Sequence, residues 1–230
     1  MDPLPGDRVV VRYRLGAGGP DDWREAPNPA LAHTPTLSDL TGFLVERGPD
    51  GLVVERDGRI ETVPAEAITS LRTLSARTVR NAQIRAVERV LTDAVPAAER
   101  AEIDGWTLSA TPGAQDPRAC AAVPIEFGAA AAALDRIAAW YAERGLPGRV
   151  VVADRLLRTA DLPAPATAEH EVLVGPDGDP VELAGDDLPA RTRWRERGYR
   201  LHHTVAVVDL PTARTDSPGG DRLHRPDRLR

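Results

Sequence analysis

The chain has 230 residues, 42% of them apolar and 28% charged, the balance of a globular protein with room for one large or two small domains. All 29 basic residues are arginine, which excludes every mechanism built on a lysine: the P-loop, the Schiff base and the Ser-x-x-Lys nucleophile. The net charge of −6 opposes the dense basic face that nucleic acid requires, so no nucleic-acid partner is expected.

No apolar run approaches the ~20 residues of a membrane span. The opening MDPLPGDR lacks the basic and apolar regions of a secretory signal. The single cysteine, Cys120, has no internal partner for a disulfide. A cytoplasmic protein with no membrane partner is the expectation.

Residues 1–74 read as all-β. Over 8–14, Val9, Val11 and Tyr13 alternate with arginines, the period of a half-buried strand. A Gly- and Pro-rich loop holding Trp23 runs from 16 to 37 and is expected to be mobile. Strands follow at 40–47 and 52–56. Asp57-Gly58 is a two-residue hairpin signal leading into a strand at 59–63. One helical turn at 64–68 precedes a last strand at 69–74. Five strands with that turn before the last resemble an SH3-like barrel.

Residues 75–211 mix helices and strands. Ser75 or Thr78 is the expected cap of a helix reaching Ala94. Its predicted buried stripe is Val79, Ala82, Ala86, Val87, Val90 and Leu91. Trp106 and Leu108 share one face of the next strand. Pro124 removes a ladder donor from the strand 121–127, which places that strand at an edge or a bulge. Leu134, Ile137, Ala138 and Tyr141 form the core stripe of a second helix, ended by Gly145 and Pro147. Val150, Val151 and Val152 suit a buried strand. A hairpin is expected around residues 171–183, then a short helix opened by Asp186 or Asp187 with Pro189 and closed by Gly198. A long strand follows at 199–210. There His202 and His203, being adjacent, are expected on opposite faces and so unable to share a metal; no metal is expected. Residues 212–230 read as a disordered basic tail. The fold class is α+β, with units 1–74, 75–211 and 212–230.

The order Asp104-Gly105-Trp106, Arg118-Ala119 with Ala122-Val123-Pro124, Trp140-Tyr141-Ala142 with Arg144-Gly145-Leu146, and Gly198-Tyr199-Arg200 resembles one family. It is that of the actinobacterial GNAT N-acetyltransferases with an N-terminal SH3-like domain, described as protein or amine acetyltransferases or acetylglutamate synthases. The resemblance implies a partial GNAT-like mixed sheet, acetyl-CoA as cofactor if the chain is active, and an amine or protein as acceptor.

That chemistry needs a Gln/Arg-x-x-Gly-x-Gly/Ala loop entering a helix, whose amides hold pyrophosphate. The chain's Arg-x-x-Gly, Arg195 to Gly198, ends a helix instead. By the family's order, the nucleotide-binding strand, loop and helix would lie within the Pro-broken residues 158–193. The family's Asn-Ser is replaced by Cys120-Ala121. Its thiolate-protonating tyrosine aligns with Trp194, whose indole is no useful acid.

Glu126 is the candidate base at a strand end, and Tyr199 the candidate acid, with Tyr141 second to it. Trp106, Arg118 and Tyr141 are candidate pocket residues. Two functions remain open: acetyl transfer from acetyl-CoA to an amine, or a non-catalytic interaction module that uses the barrel to bind a protein partner.

Overall fold

Alternation builds the first sheet. A computed structural model describes residues 1–21 and 36–211, so Trp23 and the tail expected at 212–230 lie outside the described residues. Strands β1 (Arg8–Arg14), β2 (Leu37–Gly48), β3 (Gly51–Arg56), β4 (Arg59–Pro64) and β5 (Ile68–Leu74) are antiparallel in the order β4-β3-β2-β1-β5. Val9, Val11 and Tyr13 point inward onto Leu40, Leu44, Leu52, Val54 and Val63. Asp57 and Gly58, at φ 52° and 78°, make the tight hairpin that their sequence announces. Gly42 permits the close approach of β2 to β3, because a Cβ there would stand 2.3 Å from the Glu55 carbonyl oxygen. One 3-10 turn (Ala65–Ala67) carries the chain to β5, which pairs with β1 and not with β4, so no closed barrel is formed among the described residues.

The second sheet has the order β11-β10-β12-β9-β8-β7-β6. Its strands are β6 (Glu99–Ile103), β7 (Trp106–Ala110), β8 (Ala122–Pro124), β9 (Arg149–Ala153), β10 (Ala168–Val174), β11 (Pro180–Ala184) and β12 (Arg200–Asp209). All neighbours are antiparallel except β8 and β9, which run parallel and meet at a single register pair, Ala122 with Val150. Helix α2 (Leu134–Ala142) is the crossover between them.

Successive residues of β9 point to opposite faces. Val150 and Val152 pack with Leu134, Ile137 and Tyr141 of α2. Val151 and Ala153 pack with Ile84 of helix α1 (Asn81–Ala94). Helix α3 (Leu188–Glu196) covers Leu173 and Leu201 on the α2 side. The overall class is α+β, as expected.

Three local expectations are corrected. Helix α1 begins at Asn81, where the Gln83 side chain accepts the Arg80 N–H at 2.8 Å; Ser75 instead donates its hydroxyl to the His202 carbonyl. The face that α1 buries is Ile84, Glu88 and Thr92, while Ala82, Ala86 and Val90 are exposed. Strand β8 is internal to the sheet, and Pro124 is its last residue, where the lost donor breaks no continuing ladder.

A buried ionic cluster ties the N-terminal segment to α3. Asp7 accepts from Arg195 at 2.7 Å, Glu171 accepts from Arg191 and Arg195 at 2.7 and 2.8 Å, and Arg191 also donates to the Asp2 carbonyl at 2.8 Å. All four charged side chains are nearly inaccessible, and each charge has an opposite partner, the condition for burying them.

Candidate functional site

The polar face of α1 is buried because it lies on a chain of charge that crosses the second sheet. It begins at a bulge. On β12, Leu201 pairs with Leu173 and His203 with Val172, so His202 is an extra residue without a partner on β10. The bulge turns both imidazoles to one side, overturning the expectation of opposite faces. Their Nδ1 atoms are 2.7 Å apart, and both residues are buried.

His203 Nε2 is 2.9 Å from Glu88 Oε1. An ionised carboxylate only accepts, so the network assigns the proton to His203 Nε2 and makes His202 Nδ1–H the donor between the rings. Burial, with His203 and Arg77 adding to it, pushes the His202 pKa down to about 4.

Glu88 accepts from Arg118 through both oxygens at 3.0 Å, and Arg118 also reaches Thr92 Oγ1 at 3.4 Å. On its far side Arg118 Nε donates to Glu182 of β11. Glu182 meets His170 Nδ1 of β10 at 2.6 Å. Burial pushes the Glu182 carboxyl up, but the His170 hydrogen bond and the Arg118 charge outweigh it and hold the group below its ordinary value. The line therefore runs His202, His203, Glu88, Arg118, Glu182, His170. It is closed at the histidine pair and opens at His170, whose side chain is 13% exposed.

His170 lines a cleft of about 530 Å³ together with Thr167, Glu169 and Asp186. A second cleft of about 450 Å³ lies between β5 and the α2 side of the sheet, floored by Val152 and Ala206 and carrying Arg72, Asp154, Glu169 and Glu171. Glu169 borders both. Carboxylates outnumber guanidinium groups in each, which favours a cation and disfavours a polyanion.

The residues predicted from sequence lie apart from these clefts. Glu126 follows β8, is exposed and is paired with Arg89. Trp106 is fully buried and donates Nε1–H to the Ala130 carbonyl at 3.1 Å. Tyr141 is fully buried and donates its hydroxyl to the Ser109 carbonyl at 2.9 Å. Burial pushes its pKa up, the wrong direction for an acid. Tyr141→Phe is expected to cost about 1–2 kcal/mol in urea denaturation, from the carbonyl left unsatisfied. The Tyr199 hydroxyl donates to Asp179, which raises its pKa. Arg118 is buried as well, in the relay and not in a pocket wall. The sequence reading missed Glu88, Glu182 and His170. A glutamate at the centre of the face that Ile84 and Leu91 define was the available signal for Glu88; nothing local marked the other two.

Acetyl-CoA needs a helix N-terminus whose amides are free to hold its pyrophosphate. The order strand, loop, helix, parallel strand is found at β8, residues 125–133, α2 and β9, not within 158–193. That loop carries Glu126, its Ala133 N–H is already donated to the Ala130 carbonyl, and Asp135 stands in the first turn of α2. At α3 the Asp187 carboxylate accepts the Ala190 N–H at 2.9 Å, occupying the place an anion would take. Gly198, at φ 88°, ends α3. Helix α1 is entered through residues 75–80, which contain no glycine. These termini do not fit a pyrophosphate.

The family model described as "Probable histone acetyltransferase Rv0428c C-terminal" matches residues 81–217. The chain belongs to that family and is an acetyltransferase relative. It is 37% identical over 217 residues to a protein of Mycobacterium tuberculosis (strain ATCC 25618 / H37Rv) named "Probable histone acetyltransferase Rv0428c". That match covers 91% of this chain and 64% of the relative's length. No solved structure matches.

Proposed function

We propose that this is a GNAT-type acetyltransferase relative with an SH3-like N-terminal sheet, and that its described residues serve the acceptor side of acetyl transfer. They bind an amine or a protein bearing one, while acetyl-CoA is held elsewhere. The sheet order β4-β3-β2-β1-β5 and the crossover β8–α2–β9 support the fold reading. The acceptor reading rests on one observation: the exposed carboxylates Asp154 and Glu169 border one cleft and Glu169 and Asp186 the other, and these attract an ammonium group and repel pyrophosphate. The relative's name carries acetyl transfer, and a protein acceptor, to this chain as a proposal.

Millimolar acetyl-CoA is expected to leave the thermal unfolding of this chain unchanged, while a lysine-bearing peptide raises its midpoint. A stabilisation by acetyl-CoA approaching the ~2.7 kcal/mol of a ligand at a hundred times its Kd would sink the division of labour and restore a complete enzyme.

A second reading, an interaction module, has its own support. Phe43 and Ile60 are exposed and flank Glu55 in one cross-strand row of the first sheet. It predicts a protein partner lost with Phe43→Ser and Ile60→Ser while amine binding is kept.

A further inference from the structure

We infer that the outer face of the first sheet pairs with the same face of a second copy of this chain; this names the partner for the interaction-module reading above and rests on it. Register carries the assignment. Five strands each present one outward residue in a single cross-strand row. Leu74 of β5 stands opposite Arg8 of β1, Arg8 opposite Phe43 of β2, Phe43 opposite Glu55 of β3, and Glu55 opposite Ile60 of β4. At about 4.8 Å per strand the row is about 19 Å long. None of the five is buried, and Phe43 and Ile60 are exposed. Large apolar side chains left in water beside charged ones mark a contact surface.

The row runs apolar, positive, aromatic, negative, apolar. Turned about a two-fold axis along β2, it meets its copy with Phe43 on Phe43, Arg8 on Glu55 at both sides, and Leu74 on Ile60 at both ends. That is the isologous contact of a two-fold dimer, in which one patch is its own complement. The charges are free to take part. Arg8 has no carboxylate partner among the described residues. Glu55 accepts the Gly58 N–H at 2.7 Å through Oε1, which leaves Oε2. Val45, next outward on β2, is exposed as well and lies on the same axis. Farther along β2, Asp39 faces its own copy, but Arg12 already neutralises it at 2.8 Å. Packed sheets cross at about 30°, so register holds best near the axis. The Phe43 pair and the two Arg8–Glu55 pairs therefore carry the contact, and Leu74 with Ile60 closes its margins. A patch of this width lies at the low end of specific interfaces, so the dimer is expected to dissociate on dilution.

Sedimentation of the full chain from micromolar to millimolar concentration is expected to show a reversible monomer–dimer equilibrium. Arg8→Glu and Glu55→Arg, each alone, set like charges together at both sides of the axis and are expected to weaken the dimer about tenfold. Mixed in equal amounts, the two variants regain opposite charges at both sides, so their heterodimer is expected at the strength of the parent. The same holds for the homodimer of the double variant. Phe43→Ser is expected to weaken dimerisation as well. Unchanged thermal midpoints in dilute samples show that the variants are folded. In carbene footprinting of the parent, Phe43 and Ile60 are expected to be labelled in the dilute chain and protected in the concentrated one.

A chain that stays monomeric while both side chains label at every concentration overturns the second copy and leaves the face to a different protein. A dimer in which both still label, or in which mixing the two charge variants restores nothing, also overturns it. Protection of both side chains in the dilute monomer overturns the interaction-module reading itself, because the face would be covered within one chain.

Discussion

Replacing Arg118 with alanine is expected to lower stability by about 3–5 kcal/mol, the cost of leaving buried charge without its partner. Glu88 is fully buried, and Arg118 supplies bonds to both of its oxygens and another to Glu182. The other buried guanidinium groups, Arg191 and Arg195, are committed to Glu171 and Asp7 on the other side of the sheet. For a protein of this size the change corresponds to a fall of roughly 10 °C in the thermal midpoint. Arg118→Lys should lie between, because one ammonium cannot reproduce the fork that spans two glutamates. Arg12→Ala serves as the comparison. Its pair with Asp39 is half exposed and screened by solvent, so its loss should be much the smaller. Urea denaturation followed by circular dichroism measures all three. An Arg118→Ala loss no larger than that of Arg12→Ala would show that the relay contributes little.

Between pH 7 and pH 5 the protein is expected to lose about 2 kcal/mol through His202 alone. The sign follows from proton binding. The pKa of His202 is about 4 in the folded protein against 6.5 when unfolded. Between those values the unfolded chain holds more protons, so acidification favours unfolding. The contribution is therefore complete above pH 6.5 and lost as the pH falls toward 4. Physically, His202 Nδ1–H already faces His203, so the added proton goes to Nε2 and leaves an imidazolium buried beside His203 and Arg77. His202→Gln keeps a donor for His203 and removes the titration, so its stability should change less over the same interval. Parallel pH dependence of variant and parent in urea titrations would refute the assignment.

Most strands were legible because alternation and turn chemistry are local, although β6 and the order of strands within each sheet were not. Asp57-Gly58, Gly145 and the Asp187-Pro189 start mark their boundaries in the residues themselves. The relay was not legible, for three physical reasons. A hydrophobic stripe fitted to α1 counts alanines and valines, but the helix turns Glu88 inward because Arg118, 30 residues away, waits there. Period-2 reasoning fails wherever a bulge intervenes, and nothing in the histidine pair announces one. Finally, His170 and Glu182 sit in an ordinary-looking hairpin; only register places one beside the other. The clefts belong to the same category, since they are bounded by β5, β10 and β12, which meet only in the folded sheet.

The pairing of Asp7 with Arg195 joins residues 188 positions apart. A ribosome adding about 5–20 residues each second takes roughly 10–40 s to bridge that interval. Throughout it Asp7 and the segment around it lack their lid, since α3 has not been made. Leu173 of the second sheet likewise stays uncovered until α3 emerges, so the newborn chain is open to proteases and misassembly on that face until the helix is made.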